Sequence, residues 1–529
     1  METLAQLYRG LEKLNDIGAS LSSERNITRL LEKILIAAKT ITHADGGTLY
    51  RVSEDRRHLH FEIVRTDSLN IAFGGTSGEP ISSKFSDLPL YRDDGTPNTS
   101  MVAVYAALTG NTVNIEDAYT AEGFDFSGTR RFDAGTGYRS QSFLTVPMKD
   151  HEGEIIGVLQ LINAIHPETG KPTPFPESDR RLAESLASQA AIALTNRLLI
   201  QQMEDLFESF IKLINTAIDE KSPYTGGHCQ RVPVLTMLLA EAVNDTTEGP
   251  LADFTLTDKD RYELRIAALL HDCGKVTTPV HVVDKATKLQ TLFDRIGLID
   301  TRFEVLKRDA EIAMLRAVAA GADEAVARAD FTARIACLDD DRDFLRRANI
   351  GGERMGDDDI ARVRKIAETY RWTDPSGCDI SFLSGDELEN LTIRAGTLTQ
   401  QEREIINHHI VATIKMLEQL PWPKHLKNVP EYAGGHHERM DGKGYPRGLK
   451  REEMSWQARM MGIADIFEAL TAKDRPYKQG MKLSQALSIL ENFRNNGHID
   501  PDLFRVFLKA QVYVRYAENF LDPVQVDLR

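Results

Sequence analysis

The sequence predicts a multidomain chain. An N-terminal α/β domain with an antiparallel sheet is followed by a long coiled-coil linker helix. An all-α C-terminal domain with a helical insertion completes it. Three observations predict this order. Two strand pairs with short polar turns lie before residue 165, an apolar 3-4 alternation runs through about 178–220, and helical periodicity dominates from 221 on. The expected boundaries are 1–177, 178–220 and 221–529, with the insertion over about 289–396. A chain of 529 residues is too long for one hydrophobic core, which independently requires two or three domains.

In chain order, residues 27–44 (ITRLLEKILIAAKTITHA) predict an amphipathic helix. Residues 47–52 and 58–64 predict one hairpin. Residues 141–148 and 154–162, separated by KDHEG, predict another. In the linker, Ile192, Leu199, Met203, Leu206, Phe210, Leu213 and Ala217 form the apolar series, and Asn196 occupies its one polar position. A buried asparagine in such a seam fixes the register of a parallel dimer. The same pattern also fits a single amphipathic helix packed on its own domain, and the several heptads spanned favour the dimer. Within 289–396 an Ala-rich stretch, the acidic run LDDDRD and the loop GGERMGDDD predict a solvated helical excursion.

The chemistry concentrates in short strings of the C-terminal region. His271-Asp272 sits in LLHDCGK, His436-His437 in GGHHERMDGKGYP, and Asp465 in MGIADIFEALT. An imidazole beside a carboxylate, and two adjacent imidazoles, are costly to bury without a positive partner. A metal supplies that charge, and mixed nitrogen and carboxylate ligands suit iron, manganese, nickel or zinc. The ligands exceed what one ion needs while staying open to substrate, which predicts at least two metals. His228 follows two glycines at a helix start. His409 and His408 point about 100° apart on one helix, so only one of them reaches a common site. Cys229 and Cys273 adjoin proposed ligands, and small-residue packing is the favoured role for both.

Bulk properties exclude some classes. The net charge of −15 argues against broad binding of nucleic-acid polymers, but not against a small anionic substrate at a metal centre. No apolar run has the length of a transmembrane helix, and the N-terminus is unlike a signal peptide. Cys229, Cys273, Cys337 and Cys378 lack disulfide or zinc-finger spacing, so a cytoplasmic protein without membrane association is expected.

His228, His271-Asp272 and Asp465 resemble the H…HD…D set of the HD hydrolase superfamily. HHERMDGKGYP with GIADIFEALTAKDRPYK resembles its HD-GYP subfamily, over about 221–288 and 397–480. The resemblance implies an all-helical fold and a cyclic di-GMP phosphodiesterase giving linear pGpG, with GMP as a further product. It implies His228, His271, Asp272, His409, His436, His437 and Asp465 as ligands of two divalent metals, foremost iron, with Asp272 bridging. It implies Lys275 and Asp272 in catalysis, and Tyr445, Arg475 and Lys478 at the substrate. Members with a third metal carry a glutamate four residues before the first histidine. Tyr224 stands there, so two metals are expected. The alternatives are hydrolysis of another cyclic dinucleotide such as cyclic GMP-AMP, or a non-enzymatic cyclic di-GMP receptor.

Residues of about 20–165, through TVNIEDAY and FLTVPMKDHEGEIIGVLQLINA, resemble a GAF domain. This implies a sensor that regulates the enzyme. Asn163, Phe175 and Asp179 partly match the Asn-Lys-Phe-Asp-Glu signature of cyclic-nucleotide GAF domains, whereas Ala164 and Arg180 replace its lysine and glutamate. A cyclic nucleotide, another small molecule or no ligand all fit. For Phe175 and Asp179 a purely structural tie between sheet and helix is the favoured role.

Overall fold

The computed structural model describes residues 15–76, 78–81, 85–221, 227–352, 354–374, 376–473 and 480–528. The chain divides into two compact units, Met1–Phe207 and Glu208–Arg529.

The first unit is built on an antiparallel sheet of order β3-β2-β1-β7-β6-β5, with β4 and β8 added to β2 and β7. Its strands are β1 Ala44–Val52, β2 His58–Thr66, β3 Ile71–Gly74, β4 Leu88–Pro89, β5 Val113–Ile115, β6 Phe143–Lys149, β7 Ile155–Ile165 and β8 Pro172–Thr173. Both expected hairpins are present, as β1–β2 and β6–β7. The expected helix is α1, Ile27–Thr42, capped by the Asn26 side chain. Alternation along the strands sends Leu49, Ile63, Leu144, Leu159 and Leu161 to one face of the sheet. There they meet Ile34 and Leu35 of α1, and Leu186 and Ala190 of a long helix. Tyr50 and Val158 face the other way and pack on Val104 and Ala107 of α2, Val102–Thr109. A further helix, α3, covers Ser127–Thr136.

The GAF-signature residues make structural contacts. Phe175 joins the core on the α1 side, and its carbonyl accepts from Asn114 Nδ2 at 3.0 Å. Asn163 adopts a φ of 57° and accepts from Gln141 N at 2.7 Å and Ser142 N at 3.2 Å.

The long helix, α4, is continuous over Glu177–Lys221. Ala183, Leu186, Ala187, Ala190, Ala191 and Leu194 belong to the core of the first unit. Ile211 and Ile218 are buried within the second. Every residue of the predicted seam, Ile192, Asn196, Leu199, Met203, Leu206, Phe210, Leu213 and Ala217, is exposed.

The second unit is helical: α5 His228–Asn244, α6 Asp258–Leu270, α7 Ile296–Ala319, α8 Glu324–Asn349, α9 Asp357–Thr369, α10 Gly385–Leu391, α11 Gln400–Glu418, α12 Val429–Gly434, α13 Trp456–Thr471, α14 Leu483–Asn495, α15 Pro501–Lys509 and α16 Val512–Phe520. Buried Leu235, Leu239, Ile266, Met460, Ile463, Phe467 and Phe507 fill its interior.

The segment expected to be a solvated excursion needs correction. It has a core of its own, with Leu289, Ile299, Phe303, Leu338, Leu345, Val363, Phe382 and Leu391 buried together. Phe303 and Phe382 meet edge to face at 4.6 Å. The distal parts of α7 and α8, with Ile312, Leu315 and Val326 exposed, and the exposed residues 356–359 fit the expectation. The Ala-rich tip hides the stripe Ile299, Phe303, Leu306, Ala310 that seeds this core. The insertion also holds a small strand pair, Arg371–Thr373 with Asp379–Ser381.

Candidate metal centre

Five elements of the second unit bring the ligand residues together. Gly227, with a φ of 83°, caps α5, so His228 opens that helix. A capping box between Thr257 and Asp260 starts α6, which ends at His271. Asp272 then leads into a 3-10 turn, Cys273–Thr277. Another capping box, Thr399 with Glu402, starts α11 and sets the phase of His409. His409 is buried and His408 exposed, so one of the two faces inward as the 100° separation requires. His436 and His437 follow α12, and Asp465 lies on α13.

Two overlapping groups result: His228, His271 and Asp272, and Asp272, His409, His436 and His437. Asp272 is common to both. Its Oδ2 lies 3.3 Å from His228 Nε2 and 3.2 Å from His271 Nε2, and its Oδ1 lies 3.3 Å from His409 Nε2. Asp465 Oδ1 is 3.1 Å from His228 Nε2 and 3.7 Å from His271 Nε2. Lys275 Nζ donates to Asp272 Oδ2 at 2.6 Å. The Tyr445 ring stacks on His437 at 4.8 Å and 24°.

The hydrogen bonds fix which imidazole nitrogens face the centre. A carbonyl oxygen only accepts, so a ring nitrogen bonded to one carries the proton. His271 Nδ1 donates to Ala268 O at 2.7 Å, His436 Nδ1 to Ala433 O at 2.6 Å, and His409 Nδ1 to Ile406 O. In the neutral rings the Nε2 lone pairs therefore point inward. His271 and His228 Nε2 lie 3.3 Å apart, as do His437 and His409 Nε2. Where both nitrogens of such a contact carry lone pairs, they repel unless a proton or a cation sits between them. Buried Asp272 Oδ1 and His436 Nε2 also have no hydrogen-bond partner, a costly state in a protein interior. Divalent ions satisfy all of these atoms, so the residues fit a two-metal centre.

His228 cannot use a carbonyl from its own preceding helical turn, because it begins the helix. Its Nδ1 bonds instead to Glu468, which is 1% exposed in its side chain and also accepts from Arg231 Nε at 2.6 Å. Sequence reasoning missed Glu468. The available signal was spacing: Asp465 and Glu468, three residues apart, share one face of α13.

In protein stripped of metal, protons would take the place of the cations. Burial disfavours charge on His228 and His271, but Asp272, Asp465 and, for His228, Glu468 outweigh it. The His228 pKa is raised well above the ordinary 6.5, and His271 is raised to about 9. Burial dominates at His436 and His437, lowering the first well below 6.5 and the second to about 4. His271 contributes stability that is complete below about 6.5 and is lost as pH rises through about 9, and His228 acts in the same direction. His437 contributes stability that is complete above about 6.5 and is lost as pH falls through about 4, and His436 acts in the same direction. Chelator-treated protein should therefore melt highest near pH 6.5, with metal removing the alkaline decline. A monotonic rise of melting temperature from pH 6 to 9 without metal would contradict this.

Burial raises the Cys229 thiol to about 12 and the Cys273 thiol to about 11, which keeps both protonated and fits packing rather than ligation. Gly274 is required by space, since a Cβ there would lie 2.0 Å from His409 O. Buried Glu438 shapes the glycine-rich loop by accepting from Arg447 N at 2.7 Å and Leu449 N at 2.9 Å. Arg475, Lys478 and Tyr224 lie outside the described residues. Glu220 is exposed.

Comparison with known proteins matches residues 26–194 to the GAF domain and residues 225–335 and 351–503 to HD domain families. The chain is 26% identical over 338 residues to the 3'3'-cGAMP-specific phosphodiesterase 3 of Vibrio cholerae, covering 63% of this chain and 46% of that protein. It is 38% identical over 117 residues to a cyclic di-GMP phosphodiesterase of Pseudomonas aeruginosa, covering 22% of this chain and 27% of that protein. A cyclic di-GMP phosphodiesterase of Thermotoga maritima is 33% identical over 123 residues, covering 23% and 33%. The chain thus spans less than half the length of each of these relatives. A solved GAF domain from an Acinetobacter phosphoenolpyruvate-protein phosphotransferase covers 37% of the chain, with 98% of its own length, 16% identity and a TM-score of 0.26.

Proposed function

We propose that this chain, a GAF domain followed by an HD domain of the HD-GYP type, is a metal-dependent phosphodiesterase that opens cyclic di-GMP to linear pGpG, with GMP as a further product. The observation that carries the reading is Asp272, whose two carboxylate oxygens serve two neighbouring groups of inward-facing imidazoles. The proposed ligands are His228, His271, Asp272 and Asp465 on one side, and Asp272, His409, His436 and His437 on the other. Two divalent ions held there, iron foremost and manganese, nickel or zinc otherwise, supply a nucleophilic hydroxide and a polarised phosphoryl oxygen. Lys275, held against Asp272, places positive charge where the phosphate gathers negative charge. Tyr445 lines the pocket through its stack on His437. Arg475 and Lys478 are assigned to phosphate oxygens by the family pattern alone.

Cyclic GMP-AMP is the second reading, favoured by the similarity to the 3'3'-cGAMP-specific enzyme. Full-length protein loaded with Mn(II), or with Fe(II) under anaerobic conditions, is incubated with each cyclic dinucleotide and the products are separated by HPLC. Linear product from one or both supports hydrolysis. Intact substrate under both metals would leave only a receptor role.

Regulation is assigned to the GAF domain, acting on a small ligand or through the dimer, with domains 1–177, 178–220 and 221–529. The exposed seam supports a homodimer. Leu199, Leu206 and Leu213 occupy d positions and Asn196 an a position, as in parallel two-stranded coils. Leu206→Glu should convert a dimer to a monomer in light-scattering chromatography; a monomeric wild type would end this reading. Among the described residues no helix is long and apolar enough to cross a membrane. Four free cysteines fit a reducing cytoplasm.

A further inference from the structure

We infer that Lys221 is a positioning residue that ties the end of α4 to the turn carrying the catalytic machinery. Lys221 is the last residue of that 45-residue helix. Its Nζ donates to the carbonyl of Lys275 at 3.4 Å and to that of Val276. Both carbonyls belong to the 3-10 turn Cys273–Thr277, which directly follows Asp272. Lys275 O also accepts from Thr278 N at 3.1 Å, and a cation at this end of the turn meets the negative end of its dipole.

The turn has a second support on α11. Gly274 N donates to Thr413 Oγ1 at 2.9 Å, and the glycine lies flush against the backbone of His409. One side of the turn is therefore fixed to a ligand-bearing helix, and the other is held by α4. Within the same unit, Glu208 of α4 pairs with Arg265 of α6 at 3.2 Å, and Ile211 and Ile218 are buried. Helix α6 is the one that ends at His271. Helix α4 thus meets the helix that presents His271 at Glu208, and finishes on the backbone of Lys275 and Val276.

A displacement of α4 along or about its axis reaches Lys275 through this contact, without passing through the metal ligands on α5, α11 or α13. Lys275 Nζ sits 2.6 Å from Asp272 Oδ2, so a small movement of its backbone changes where its charge lies relative to a bound phosphate. This deepens the regulatory reading given above and rests on it.

The test uses the full chain, loaded with metal, as Lys221→Ala and Lys221→Arg. Two charge-assisted bonds are lost in the alanine variant, so its kcat should fall roughly tenfold with KM within about twofold. Metal content should equal that of the wild type. Lys221→Arg keeps the cation and should recover most of the rate. Amide hydrogen exchange over 273–278 should quicken in Lys221→Ala and stay near wild type in Lys221→Arg. An unchanged kcat and exchange in Lys221→Ala would overturn the inference, as would equal loss in both variants. A wild type that turns over neither cyclic dinucleotide would sink the phosphodiesterase reading, while the exchange measurement still decides the role of Lys221.

Discussion

Replacing Asp272 by alanine is expected to lower turnover of a cyclic dinucleotide by roughly a thousandfold or more and to empty both metal positions. Among the described residues, Asp272 alone belongs to both groups of candidate ligands. The loss goes beyond ligation. Lys275 loses the carboxylate at 2.6 Å, His271 loses one of the two carboxylates that hold its charge, and His228 loses one of three. Removing one partner from a buried charge cluster costs about 3–5 kcal/mol, so the metal-free variant should also melt early. Asp272→Asn keeps the shape without the charge and should lose metal while melting closer to wild type. Metal analysis with turnover checks both; either variant retaining two ions per chain and normal turnover would remove Asp272 from the bridging position.

Replacing Glu468 has the second-largest expected effect, although this residue contacts no bound phosphate in the proposed scheme. It fixes the His228 ring through Nδ1 and neutralises Arg231. Partners behind metal-ligating histidines are typically worth 10–100-fold in metal affinity. Glu468→Ala should therefore weaken one of the two metal positions by about that factor and leave the other, built on His409, His436 and His437, filled at moderate metal concentration. Glu468→Gln keeps an acceptor for Nδ1 and should fall between. Competition with a chromophoric chelator, counting ions per chain, separates the two positions. Equal loss from both would show that Glu468 supports the fold rather than His228.

Much of the candidate site is legible in the sequence. Adjacent His-Asp and His-His pairs advertise themselves because their burial demands a cation, and a helix phase alone separates His409 from His408. The alternating strands and the heptad series were equally plain, since period is a local property. Glu468 and Lys221 were not. Each acts across more than 50 positions on a partner in another element, as in Lys221 to Lys275 and Glu468 to His228. Spacing puts Glu468 on the face of α13 that carries Asp465, but it does not name His228 as the partner. The insertion's core was missed for a similar reason. It draws single buried residues from several short segments, while the Ala-rich and acidic strings between them dominate the composition.

That insertion begins and ends at one place. The Thr397 hydroxyl donates to the carbonyl of Lys285 at 2.8 Å, though the two are 112 positions apart. A segment with its own apolar interior and touching ends is a cassette: it can be exchanged as a unit without stretching the frame that receives it. A short bridge in its place should leave a folded hydrolase core, and a reporter domain with closely spaced termini could occupy the same slot.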